Sequence, residues 1–511
     1  MSRSKIYARN LTANWVAYFV NLAVMFLLSP FVVNTLGDVR YGVWSLLISL
    51  TGYFGLIDIG IRASLGRFIN FYLGRDDIPK VNGIISTATV CFSIASLVVL
   101  AAAGILATFL DVLFTKLPVE LLPDARLAIV LIALNMALTF FVAINAQVLF
   151  AVERFDLGRG VMICVLLIRA AGTVLVLSRG GGLVELAVVQ LLSNAVGLAA
   201  GYVLAKRVFS PLTIRLSLST ASHGRELLAF GLWSFIGSIA SQLLYMTDTV
   251  VIGILMPTKM ITYYAIPLML IQYGRGFIYN IGSVLRPQTI KASSVEDYEE
   301  LRYLFNWGAK ITLFLGIPLF AGLIFMGTDF MMLWQGHRFQ DSRTVLILLA
   351  IPQFFVLATR PAGSIIAGLG YVRFGACLTL AQALMNLGLT LVFVMACGLG
   401  LEGVALGTLV PMIGFNCVLA MFVLRWIRFP LRRYLINNLL PWVVGGGAVA
   451  ASFYAISSIR LPLQWSSFAL KVTVMFVVGM PLAWYLMFSS AERALLWDRV
   501  KAIFSRSTSG R

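Results

Sequence analysis

Between residues 14 and 488 the chain is a succession of apolar runs divided by short polar connections. No other feature limits the fold as strongly. A helix rises about 1.5 Å per residue, so a run of about 20 apolar residues crosses the hydrocarbon core of a bilayer. A transmembrane barrel would instead show segments of about ten residues alternating between apolar and polar. Fourteen runs are legible, at 14–36, 41–62, 83–110, 127–150, 160–178, 183–205, 227–255, 261–284, 307–328, 344–369, 374–397, 402–424, 436–458 and 466–488. Composition agrees, since only 12% of the 511 residues are charged against about 25% in a soluble domain. The expected fold is all-α, a polytopic membrane protein of about fourteen transmembrane helices. The basic start MSRSKIYARN leads into a full-length span without a small-residue cleavage site, so no cleavable signal peptide is expected.

The net charge of +18 is explained first by retention of Lys and Arg on the inner side of a membrane, not by a nucleic-acid partner. With the N-terminus inside, 26 basic residues fall on inner segments, eight on outer segments and five within spans. Both termini are therefore expected on the cytoplasmic side. The segment GGGLVELAVVQLL at 180–192 resembles GLGLEGVALGTLV at 398–410, and hydropathy repeats at a similar displacement. The expected organisation is a six-helix lobe over 1–206, a cytoplasmic linker over 207–226, a second six-helix lobe over 227–424, and an extra helix pair with a basic tail over 425–511. Parallel six-span repeats around a central space are a transporter architecture. Ser294 and Asp297 stand in capping-box spacing, so a short interfacial helix is expected over 293–305. Cys91, Cys164, Cys377, Cys397 and Cys417 all fall in apolar runs and are expected to be buried packing residues. Lys471 is expected at the outer interface.

Charges within spans point to function, because each needs a partner, a wet cavity or an escape to the interface. Asp58 and Arg62 are four residues apart and share a helix face. Arg169 lies about 14 Å from either end of its span, too deep for easy snorkelling. Arg275 sits between two glycines in the eighth span, and Arg360 precedes Pro361, where the tenth should kink. Asp248 in the seventh span is a candidate charge partner or a proton or sodium site. The plainer alternatives are that Arg62 reaches the headgroups and that Arg169 belongs to a structural ion pair. Arg62, Arg169, Arg275 and Arg360 outnumber Asp58 and Asp248, and guanidinium groups suit phosphate through paired hydrogen bonds. The expectation is a cavity for an anionic substrate, with no metal and no organic cofactor.

Several motifs carry a family resemblance: VVNTLGDVRYGVWSLL at 32–47, GLIDIGIRASLGRFI at 55–69, QVLFAVERFD at 147–156, DTVVIG at 248–253, PAGSIIAGLGYVRF at 361–374 and GLEGVALGTLV at 400–410. The chain resembles the polysaccharide transporter (O-antigen flippase) family of the multidrug/oligosaccharidyl-lipid/polysaccharide exporter superfamily. The resemblance implies a flippase of the bacterial inner membrane that moves undecaprenyl-pyrophosphate-linked oligosaccharide to the periplasmic leaflet. It also implies alternating access, a cationic central cavity, and coupling to an H+ or Na+ gradient. Roles fall on Asp58, Arg62, Arg169, Asp248 and Arg275. The implied partners are the lipid-linked oligosaccharide, membrane lipids, a polysaccharide polymerase and glycosyltransferases, with the chain acting as a monomer. A multidrug exporter would need a carboxylate-dominated cavity for cations, whereas a peptidoglycan-precursor exporter would share the phosphate chemistry. A membrane glycosyltransferase or polymerase would need a sizeable loop carrying catalytic carboxylates, and the loops here are short.

Overall fold

In lipid no water is available to the backbone, so a spanning segment must satisfy its own hydrogen bonds, as a helix does. The computed structural model describes residues 3–282, 286–494 and 497, and no strand occurs among them. The helices are α1 Arg3–Gly52, α2 Leu56–Leu73, α3 Ile78–Thr108, α4 Leu122–Ala151, α5 Phe155–Ser178, α6 Leu183–Val208, α7 Ala221–Leu255, α8 Lys259–Gly282, α9 Arg286–Ser294, α10 Tyr298–Gln335, α11 Arg343–Ala358, α12 Arg360–Gly368, α13 Val372–Leu391, α14 Gly400–Trp426, α15 Leu440–Ser457 and α16 Trp465–Met487. The all-α polytopic expectation is met.

Among the described residues twelve helical runs are long and apolar enough to cross a membrane. The run expected at 14–36 and the first fifteen residues of the run expected at 41–62 fall within one of these, Thr12–Gly55, and the rest of the second run, 56–62, opens α2. Gly37, at φ 76° and ψ 164°, interrupts the helical backbone of α1, in a region that side-chain-bearing residues avoid. The run expected at 261–284 corresponds to α8, which is helical but is not one of the twelve.

Helices α1 to α7, the following residues to 265, and 379–387 form one compact unit. Its core lies among α2, α3, α4 and α6, where Leu65, Ile84, Phe92 and Phe140 are fully buried. Phe92 and Phe140 stack with centroids 5.5 Å apart. Helix α7 packs on α1, α2 and α3, and Ser64 donates to the Leu227 carbonyl at 2.7 Å. The connection between α6 and α7 is tied down in the same unit. Asn82 on α3 donates to the Pro211 carbonyl at 2.9 Å and accepts from the Thr213 amide at 3.0 Å. Ser86 and Thr87 accept from the amides of Arg215 and Thr220.

The described residues of 266–378 and those from 388 onward form the second unit. Here the structure corrects two expectations. Residues 298–305 are not a separate interfacial helix but the first turns of the 38-residue α10. Asp297 caps it, accepting from the Glu300 amide at 3.0 Å, and Leu301 and Leu304 are buried, so nothing breaks the helix before the span. Lys471, expected at the outer interface, does not face outward from the protein. It is buried, and its ammonium donates to the Ser457 carbonyl at 3.2 Å, meeting the negative end of α15. Helices α15 and α16 pack on each other and on α10. Gly479 admits the Phe453 ring, and a Cβ there would meet it at 2.5 Å.

The cysteines also differ from expectation. Cys91 is half-buried, whereas Cys164, Cys377, Cys397 and Cys417 are exposed. A helix in lipid displays apolar residues outward, so an apolar neighbourhood in sequence does not imply burial.

Candidate functional site

Small residues on α4, α5 and α6 open a cavity inside the first unit. On α5, Gly158, Met162, Val165 and Arg169 recur every three or four residues and therefore share one face. Asn194, Gly197 and Gly201 do the same on α6, and Thr139, Ala143 and Ala146 on α4. Gly197 permits close approach of the helices, since a Cβ there would meet Val165 at 2.6 Å. Asn21 of α1 and Arg62 of α2 complete a cavity of 310 Å³.

Three arginines, Arg62, Arg159 and Arg169, line this space, and no carboxylate does among the described residues. Arg169 is half-buried in mid-span and has neither an ion pair nor a hydrogen bond among the described residues. Arg159 donates from Nε to Asn14 Oδ1 at 2.7 Å. Amides supply the remaining polarity. Asn145 donates to the Leu198 carbonyl at 3.3 Å and Asn194 to Asn135 Oδ1 at 2.7 Å, which fixes their orientations. The lining thus combines cationic donors with amides that can donate and accept, a set suited to an anionic, hydroxyl-rich ligand.

The structure brings Arg62 and Arg169 together, and it adds Arg159, which its place near a span end marks only as an inner-segment base. Its signal was present: Arg159 lies between Gly158 and Gly160, ten residues before Arg169 on the same helix. The Asp58 side chain lies outside the described residues, and so does its expected pairing with Arg62. Asp248 does not line the cavity. It is buried and accepts from the Tyr264 hydroxyl at 2.6 Å. Beside it Thr247 shares a hydrogen bond with the Tyr53 hydroxyl at 2.9 Å.

In the second unit Arg275 and Arg360 meet at one ring. Their guanidinium carbons lie 5.8 Å and 3.8 Å from the Tyr279 centroid. Arg360 is delivered there by a break between α11 and α12 at Thr359, and Pro361 occupies the first turn of α12, where its missing N–H needs no partner. The kink expected at this pair is present.

The family described as "Polysaccharide biosynthesis protein" matches residues 7–293, more than half of the chain. The chain belongs to this family. Two relatives extend the match. A protein of Bacillus subtilis (strain 168) named uncharacterized membrane protein EpsK is 23% identical over 413 residues, covering 80% of this chain and 81% of the relative. A putative O-antigen transporter of Shigella flexneri is 22% identical over 408 residues, covering 78% of this chain and 91% of the relative. Among solved structures, an inward-facing multidrug resistance MATE family transporter of the MOP superfamily superposes with a TM-score of 0.70 at 15% identity. That match covers 80% of this chain and 98% of the other. The lipid II flippase MurJ in an inward closed conformation gives 0.69 at 16% identity, covering 93% and 97%. Identities this low speak for the fold alone, and that fold is MATE- and MurJ-like. This member of the family is a multi-pass membrane protein; one relative is named a putative O-antigen transporter, and the fold neighbours are a transporter and a flippase.

Proposed function

We propose that the chain is a flippase for undecaprenyl-pyrophosphate-linked oligosaccharides in surface polysaccharide biosynthesis. The observation that carries this reading is the cavity of the first unit, with Arg62, Arg159 and Arg169 on its wall and no carboxylate there among the described residues. Such a wall favours a polyanionic headgroup and disfavours a cationic drug. The fixed amides of Asn145 and Asn194 offer hydrogen bonds to sugar hydroxyls. Arg275 and Arg360, gathered at Tyr279, serve as a second anion surface during alternating access. Asp248 with Tyr264 is the coupling site for H+ or Na+. The protein works in the bacterial inner membrane with both termini in the cytoplasm. It acts as a monomer, receiving substrate made by glycosyltransferases and passing it to a polymerase.

A peptidoglycan-precursor exporter is the second reading. The MurJ-like fold over 93% of the chain favours it, and the same phosphate chemistry would serve it. Arg169→Ala in the full-length chain tests the anion-cavity reading. Surface polysaccharide should be lost while membrane abundance of the protein stays near normal. Loss of the folded protein instead would assign Arg169 a structural role and overturn the reading.

A further inference from the structure

The arginines of the cavity differ in how they are held. Arg159 lies in the first turns of α5, and its natural partner would be Asp156, three residues earlier on the same helix face. That carboxylate is already engaged. Arg154 grips it twice, Nε to Oδ1 at 3.0 Å and Nη2 to Oδ2 at 3.2 Å, and the Arg9 guanidinium lies 3.6 Å from Oδ1. The turn between α4 and α5 runs through Glu153 at φ 57°. Its carbonyl accepts from Arg9 and Asn10 of α1, each at 3.3 Å.

Arg159 is held instead by α1, through its Nε bond to Asn14 Oδ1. Anchoring a guanidinium at Nε leaves the two terminal amino groups pointing forward. Nη1 meets the Met162 sulfur at 3.5 Å, a weak acceptor, and the guanidinium carbon lies 6.0 Å from the Phe150 ring centroid, so neither contact neutralises the charge. No carboxylate pairs with Arg159 among the described residues, although one stands within a single helical turn.

We infer that Asn14, Arg154 and Arg9 are positioning residues: they keep Asp156 away from Arg159 and aim the end of the Arg159 guanidinium at a pyrophosphate-type headgroup. The inference rests on the anion-binding reading above and adds a specific device to it. Asp156 is an internal competitor for the substrate. If its arginines release it, the carboxylate pairs with Arg159 and cancels one of the charges that face the cavity. Asn14 sets direction without neutralising, as a neutral amide can and a carboxylate cannot.

Titration of inorganic pyrophosphate into the purified full-length protein at low salt, followed by calorimetry, tests this. Arg154→Ala should weaken binding about tenfold, the equivalent of one charge-assisted hydrogen bond. Adding Asp156→Asn to that variant should restore affinity to within about twofold, because the competitor is gone. Asn14→Asp should weaken binding about tenfold, and Asn14→Ala by less. A structural fastening would show no rescue, so an Arg154→Ala/Asp156→Asn protein as weak as Arg154→Ala overturns the inference. Native affinity in both Arg154→Ala and Asn14→Asp overturns it too. Arg169→Ala is the control for the underlying reading. If that variant binds like the native protein, the anion cavity itself fails; if it loses binding while Arg154→Ala does not, only the positioning role fails.

Discussion

The Lys310 ammonium on α10 donates to Glu492 Oε1 at 2.6 Å, fastening the segment after α16 to a buried cation. Lys310 is 5% exposed, so removing its counter-charge would strand it. Burial alone would raise the Glu492 carboxyl, but the Lys310 ammonium and the Ser489 amide and hydroxyl hold it below its ordinary value. Its contribution to stability is therefore present above the unfolded-state value, about 4.3, and lost as the pH falls through the lower folded-state one. Glu492→Gln should destabilise the protein by about 2 kcal/mol. The fall in thermal midpoint should be plain at pH 7 and should shrink under acid conditions.

Gly158 lines the cavity, and a Cβ built there meets nothing within 4 Å. Gly158→Ala should therefore stabilise α5 by about 0.5–1 kcal/mol, through the lower backbone entropy of the unfolded chain. Gly158→Phe should fold equally well yet fill the space the substrate needs. Surface polysaccharide should fall sharply in the Phe variant and persist in the Ala variant. Equal activity in the two would mean that the cavity is not on the transport route.

At Tyr279 it is the ring face, not the hydroxyl, that lies against the Arg360 guanidinium. Tyr279→Phe should retain transport. Tyr279→Leu removes a cation–π contact of about 1 kcal/mol and should reduce transport about fivefold. Polysaccharide yield at matched protein levels measures both.

Gly37 occupies a backbone conformation that an L side chain reaches only with strain, φ 76°. Space is not the obstacle, because nothing lies within 4 Å of a Cβ there. Gly37→Ala should lower stability by about 1–3 kcal/mol, visible as a lower thermal midpoint.

Helix type and approximate span positions were legible because apolar length is a signal that lipid itself imposes. The break at Gly37 was not, since a glycine between apolar runs reads equally well as a loop or as part of a helix. Arg169 was legible as a depth anomaly, and Arg62 through its one-turn spacing from Asp58. Arg159 was not, because a base near a span end is what charge retention at the inner surface already explains. Lys471 went the same way: its sequence position suits the interface, and only the end of α15 packed beside it turns it inward. The meeting of Arg275 and Arg360 at Tyr279 joins residues some eighty positions apart, a distance that periodicity does not reach. The exposed cysteines show the limit of apolarity as a measure of burial where the solvent is itself apolar.

The stretch between α6 and α7 is rich in Ser, Thr and Pro and has the composition of a slack tether. Asn82, Ser86 and Thr87 instead hold its main chain at Pro211, Thr213, Arg215 and Thr220. Staples at four points turn a leash into a splint. Lengthening it with inserted residues would yield a bulge on the surface of α3 rather than extra reach, and cutting it would leave both ends in place.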